Sequence, residues 1–71
     1  METLKLREGD EYITLGQLLK AAGCVENGSE AKEVILSGKA SVNGETDLRR
    51  GRKLRDGDVV HYREWEIRVV R

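Results

Sequence analysis

Residues 14 to 38 carry one layout twice, and that repetition limits what the chain can fold into. "TLGQLLKAAG" opens on Thr14, whose hydroxyl can accept from the backbone N–H three residues on. Gln17 is placed to reach back, which makes a capping box. Leu15, Leu18, Leu19 and Ala22 recur at the spacing of one helix face. Gly23 stands where a helix ends in a left-handed residue. "NGSEAKEVILSG" repeats the plan, with Asn27 as cap, Glu30 at the third helical position, Ala31, Val34 and Ile35 as the apolar stripe, and Gly38 as the stop. Two helices this short are unstable alone, so each needs the other, or a sheet.

After Gly38 the period changes from helical to alternating. "ASVNGET" sets Asn43-Gly44 between two short extended segments, a strong hairpin signal because both positions accept positive φ. Near the start, "TLKLR" alternates Leu4 and Leu6 with polar residues and predicts a strand; "REGDEY" then predicts a loop. "RDGD" predicts a turn, and "VVHYREWEIRVV" aligns Val60, Tyr62, Ile67 and Val69 on one sheet face if the chain reverses near Arg63 to Trp65. The expected fold class is α+β: two short helices packed on a small, mostly antiparallel sheet, with the first strand joining the last. Residues 1–71 are read as a single domain with a small core.

Several functions are disfavoured. The single cysteine, Cys24, cannot form an internal disulfide, and no Cys/His cluster suggests a metal. No cofactor is expected. No run approaches membrane-spanning length and no signal peptide is visible, so a cytoplasmic protein without membrane attachment is expected. Neither a nucleophile–base pair nor a phosphate loop at a strand–helix junction is present, so an enzyme is not expected.

Charge is balanced overall, with 13 Lys/Arg against 13 Asp/Glu, but it is not evenly spread. Residues 1–38 hold four basic against seven acidic residues; residues 39–71 hold nine against six. The extreme is "RRGRKLR", where Arg49, Arg50, Arg52, Lys53 and Arg55 crowd around Gly51 and Leu54. Leu54, and Leu48 upstream, are the apolar anchors available to this loop. Arginine forks suit phosphate oxygens because they donate two parallel hydrogen bonds.

The ordered series "LGQLL", "NGSEAKEVI", "SGKASVNG" and "LRDGDVV" resembles the RNA-binding domain named after the fourth protein of the small ribosomal subunit, the S-four domain. The likeness covers residues 13 to 60. It is nearest to the small stand-alone bacterial members of YbcJ/YaaA type, which also carry a basic loop. The resemblance implies the αL RNA-binding motif. It implies contact with structured RNA, rRNA or tRNA, through the second helix, its preceding turn and the adjoining hairpin. A ribosome-associated, monomeric protein with ribosomal particles among its partners is the corresponding expectation. Lys32 and Lys39 match basic family positions and join the arginine loop as expected RNA contacts. Thr14 and Gly28 stand where the family commonly has arginine, so those contacts are not carried over. Open backbone at Gly28 and Ser29, at the start of the second helix, offers N–H groups to a phosphate instead.

The remaining residues of note have plainer expectations. Trp65 is read as packing at a hairpin end or sheet edge and Tyr62 as facing the core. His61 is read as a partly exposed structural histidine, Cys24 as incidental, and "EGDE" at residues 8–11 as a solvated acidic loop. Tyr12 is placed in a loop, with its role undecided. The alternative function is a protein–protein interaction module that uses the acidic/basic asymmetry. Replacing Arg49 and Arg52 by glutamate is expected to leave an exposed loop folded and so to separate the two readings.

Overall fold

A computed structural model describes all 71 residues. The strands are β1 (Glu2–Lys5), β2 (Ile13–Thr14), β3 (Ala40–Val42), β4 (Glu45–Thr46), β5 (Lys53–Leu54), β6 (Val59–Tyr62) and β7 (Trp65–Val70); the helices are α1 (Leu15–Ala21) and α2 (Gly28–Leu36). Five strands form one sheet in the order β1-β7-β6-β3-β4, antiparallel except for the β1–β7 pair. The α+β architecture of two helices on a mostly antiparallel sheet is therefore the one the sequence predicts.

Both helices begin as their sequences require. Thr14 accepts from the Gln17 N–H at 3.3 Å while the Gln17 side chain accepts from the Thr14 N–H at 3.1 Å, completing the capping box. Asn27 accepts from the Glu30 N–H at 2.9 Å. Leu15, Leu18 and Leu19 of α1 and Ala31, Val34 and Ile35 of α2 are buried. They meet Ala40, Val42, Val60, Tyr62, Ile67 and Val69, the inward-facing alternate residues of β3, β6 and β7, in one core cluster.

The turns set the register. Asn43 and Gly44 adopt φ of 51° and 87°, so the β3–β4 hairpin closes in two residues with Val42 opposite Glu45. The β6–β7 hairpin reverses at Arg63 and Glu64, with Tyr62 opposite Trp65. The first strand does join the last, and does so in parallel, with Leu4 opposite Val69.

Two expectations need correcting. The basic segment is not loop throughout: Lys53–Leu54 pairs antiparallel with Ile13–Thr14 as a small second sheet. A two-residue strand has no periodicity of its own, and only its partner, about forty residues away, reveals it. Leu48 is not an anchor; it is 54% exposed, whereas Leu54 is wholly buried.

Candidate functional site

The arginine segment is docked on the start of α1. The first N–H groups of a helix have no partner inside it. Here the Leu15 N–H donates to the Arg52 carbonyl at 2.9 Å and the Gly16 N–H to the Arg50 carbonyl at 3.0 Å. Arg52 N–H donates to the Arg49 carbonyl at 3.1 Å, which closes a turn with Arg50 and Gly51 at its tip. Gly16 permits the approach. A Cβ there would lie 2.7 Å from Arg50 Cγ, so the Arg50 stem occupies space that another residue would fill.

The five basic side chains separate into three environments. Arg49 and Arg52 converge on Asp47, the only charged residue in the core, at 7% exposure. Asp47 Oδ1 accepts from the Arg49 N–H at 2.9 Å and from Arg49 Nε at 3.0 Å; its Oδ2 accepts from Arg49 Nη2 at 2.9 Å and Arg52 Nη1 at 2.7 Å. The Arg49 side-chain bonds hold the Asp47 carboxyl well below the usual carboxylate range. Burial opposes this, and the Arg49 N–H and the single bond from Arg52 Nη1 add to the lowering.

Lys53 and Arg55 flank buried Leu54 and, as alternate residues of an extended segment, leave the core together. Lys53 Nζ lies 5.0 Å and the Arg55 guanidinium carbon 5.8 Å from the ring centre of Tyr12, itself 40% exposed. Tyr12 is thus the platform for two cations. Just downstream, Asp58 accepts from the Arg55 N–H at 2.8 Å and from Asn43 Nδ2 at 3.0 Å. Burial alone would raise the Asp58 pKa, yet these bonds lower it.

Arg50 faces neither carboxylate nor ring. It borders a shallow concavity of about 210 Å³ shared with Lys20 of α1, Gly51 and Gly28 at the start of α2. Lys20 was not among the residues singled out from the sequence. Its only signal is its place one turn beyond Gly16 on α1, which matters only once the Arg50 tip is known to lie there. Gly28 and Ser29 hold the first two positions of α2, with the Glu30 N–H taken by Asn27. Glu30 itself turns back to accept from the Glu26 N–H at 3.2 Å.

Lys32 is exposed one helical turn from Gly28. Lys39 is exposed beyond the other end of α2, next to Ala40, whose carbonyl accepts from the Asp47 N–H at 3.3 Å. A nine-residue helix is about 13 Å long, so the two lysines extend different ends of the surface. The structure therefore gathers Arg50, Gly28, Ser29 and Lys32 at one end and Arg49, Arg52 and Lys39 near the other. Lys53 and Arg55 form a third group at Tyr12.

This arrangement also changes what the double glutamate variant would report. Arg49 and Arg52 are the only ion-pair partners of Asp47, so reversing both charges crowds three carboxylates together. That substitution perturbs the fold as well as the surface. Elsewhere, Trp65 packs half-buried at the β6–β7 hairpin end. His61 Nε2 sits 2.6 Å from Glu66 Oε2, its cross-strand neighbour. Burial pushes the Cys24 thiol up, with nearby Glu2 adding to it, which makes it a poor nucleophile. No helix is long and apolar enough to cross a membrane.

Comparison with known proteins gives one consistent picture. The family model of the S4 domain matches residues 4–70. A curated relative, the "Probable ribosome maturation protein RlbA" of Bacillus subtilis (strain 168), is 52% identical over 50 residues, which are 70% of each chain. Among solved structures, the solution structure of YbcJ from E. coli, described as revealing an αL motif involved in RNA binding, superposes with a TM-score of 0.73. It has 31% identity and covers 100% of this chain and 89% of YbcJ.

Proposed function

This chain belongs to the S4 domain family, and from that premise we propose that it is an RNA-binding protein with a ribosome-related role. Its target is structured RNA, rRNA in the first instance and tRNA as the other candidate. It acts as a cytoplasmic, monomeric binding module of one domain and carries out no chemistry. The B. subtilis relative supports the connection to ribosome maturation, and YbcJ supports the αL motif as an RNA-binding element.

The observation that carries the residue-level reading is the position of Arg50. Its side chain crosses α1 at Gly16 and borders the concavity with Lys20 and Gly28. Gly28 lacks the arginine that the family commonly places at the second helix. Arg50 and Lys20 bring positive charge to the same spot from other elements. A phosphate there would meet two cations and the open start of α2. Lys32 extends this contact along the helix. Arg49 and Arg52, with Lys39, form a second contact, and Lys53 and Arg55 a third. With about four phosphates engaged, log affinity should fall against log salt with a slope of roughly −3 to −4.

The test replaces Lys20 and Arg50 together by glutamate. Neither side chain is bonded to a carboxylate, but Lys20 sits in the last turn of α1, where a cation favours the helix dipole, so the variant should lose about 1 kcal/mol and remain folded. In a mobility-shift assay with bacterial 16S and 23S rRNA, the folded variant should lose retention. Unchanged, salt-sensitive binding would remove this concavity from the interface. Salt-insensitive behaviour of the wild type would remove the RNA reading and favour the protein-interaction alternative.

A further inference from the structure

Arg49 is held by three hydrogen bonds to a buried carboxylate, yet its side chain is 69% exposed. An exposed arginine normally samples many rotamers, and ordering it on binding costs affinity. Here the ordering is done in advance. Asp47 fixes Arg49 through Nε on Oδ1 and Nη2 on Oδ2, and draws Arg52 Nη1 to Oδ2 as well, so two guanidinium groups stand at a set spacing. Arg49 Nη1 and most of the Arg52 donors remain unused.

These groups line a cleft of about 450 Å³ against the β3–β4 hairpin, with Asn43, Glu45 and Thr46 on the opposite rim. Arg49 and Arg52 are balanced there by Asp47 and Glu45, so formal charge at the cleft is zero. A neutral cleft gives little long-range attraction to a polyanion. What it offers is fixed donor geometry.

Resting on the RNA-binding reading above, we propose that Asp47 is a positioning residue. It holds Arg49 and Arg52 as a rigid pair for phosphodiester oxygens of a folded RNA, at the expense of affinity for shapeless polyanions. The buried acid thereby sets which anions the loop selects.

The test is Asp47→Asn, compared with wild type on two probes, 16S and 23S rRNA on one side and heparin on the other. The asparagine carbonyl can still accept from the Arg49 N–H, so the local turn is kept while the charge pairing is lost. The variant is more positive by one charge. On the proposed role, rRNA affinity falls about tenfold, the equivalent of one charge-assisted hydrogen bond, while heparin affinity holds or rises. A variant that binds rRNA as tightly as wild type, or more tightly, overturns the proposal. So does a parallel loss on both probes, which would mark a structural role only. If Asp47→Asn does not fold, Arg49→Lys with Arg52→Lys keeps the charge and removes the forks; it should show the same split, and equal binding to both probes would overturn the proposal. Wild-type protein that fails to bind rRNA removes the RNA reading and this inference together, whereas firm wild-type binding with an indifferent Asp47→Asn removes the inference alone.

Discussion

Arg49 and Arg52 are bonded to a buried carboxylate, whereas Lys53 and Arg55, the next basic residues along, lie over an exposed aromatic ring. The two pairs are alike in sequence and differ in everything that governs their behaviour. The first pair is rigid, partly neutralised and tied to the stability of the loop. The second rests on a ring and has no salt-bridge partner. A run of positive residues is therefore not one electrostatic patch; its charges divide according to what the fold places beside each of them.

Leu54 joins the two pairs, so its removal should be the most damaging change. It is fully buried and pairs with Ile13 through the small sheet. Leu54→Ala should cost about 2–5 kcal/mol in urea denaturation, as core truncations do, and should release both groups at once. A much smaller loss would mean that the loop is held by its polar bonds instead.

The Asp47 pair should be sensitive to acid. The folded protein holds Asp47 below its unfolded value of about 3.9. The unfolded chain thus takes up the proton first, and the stabilisation is whole above that pH and shrinks as pH falls through and beneath it. Asp47→Asn should melt below wild type at pH 7, and the gap between the two melting temperatures should narrow from about pH 4 downward. A gap that is constant with pH would show that the carboxylate charge is not what matters. Arg49→Glu with Arg52→Glu should lower the melting temperature at pH 7 further still, because it leaves Asp47 among like charges.

The Tyr12 pair should respond weakly in stability and clearly in RNA binding. Tyr12→Leu removes the ring and should cost about 0.5–1 kcal/mol, the range of exposed cation–π contacts. Lys53→Gln with Arg55→Gln removes the same contacts from the other side and should cost a similar amount, about 0.5–1 kcal/mol. The same double change should reduce the salt slope of rRNA binding by about 1.4–1.8, if each residue meets one phosphate. Salt titration of the two variants separates a platform role for the ring from a direct role for the cations.

How far residues alone disclose this molecule varies along the chain. The helices, both caps and the two-residue hairpin were legible because each depends on groups within four residues of one another: Thr14 with Gln17, Asn27 with Glu30, Asn43 with Gly44. The small second sheet was not, because Ile13 and Leu54 are far apart in sequence and their strands are too short to show a period. Tyr12 looked like an ordinary loop residue until Lys53 and Arg55 were found above it. Lys20 went unnoticed because its relation to Arg50 and Gly28 runs through three separate elements. Asp47 carried no signal at all; an aspartate before an arginine run reads as one more solvated charge, and its burial depends on the packing of β3, β4 and the loop around it.

The amino-acid order on its own determined the two helices and their caps, the hairpin turns and the presence of a dense basic segment, since propensity, capping and turn chemistry act between near neighbours. The tertiary structure alone decided which of those cations are free, which are bound to a carboxylate and which rest on a ring. Coulombic and hydrogen-bonding partners are chosen by proximity in space, and proximity across forty residues of chain exists only after the core has closed.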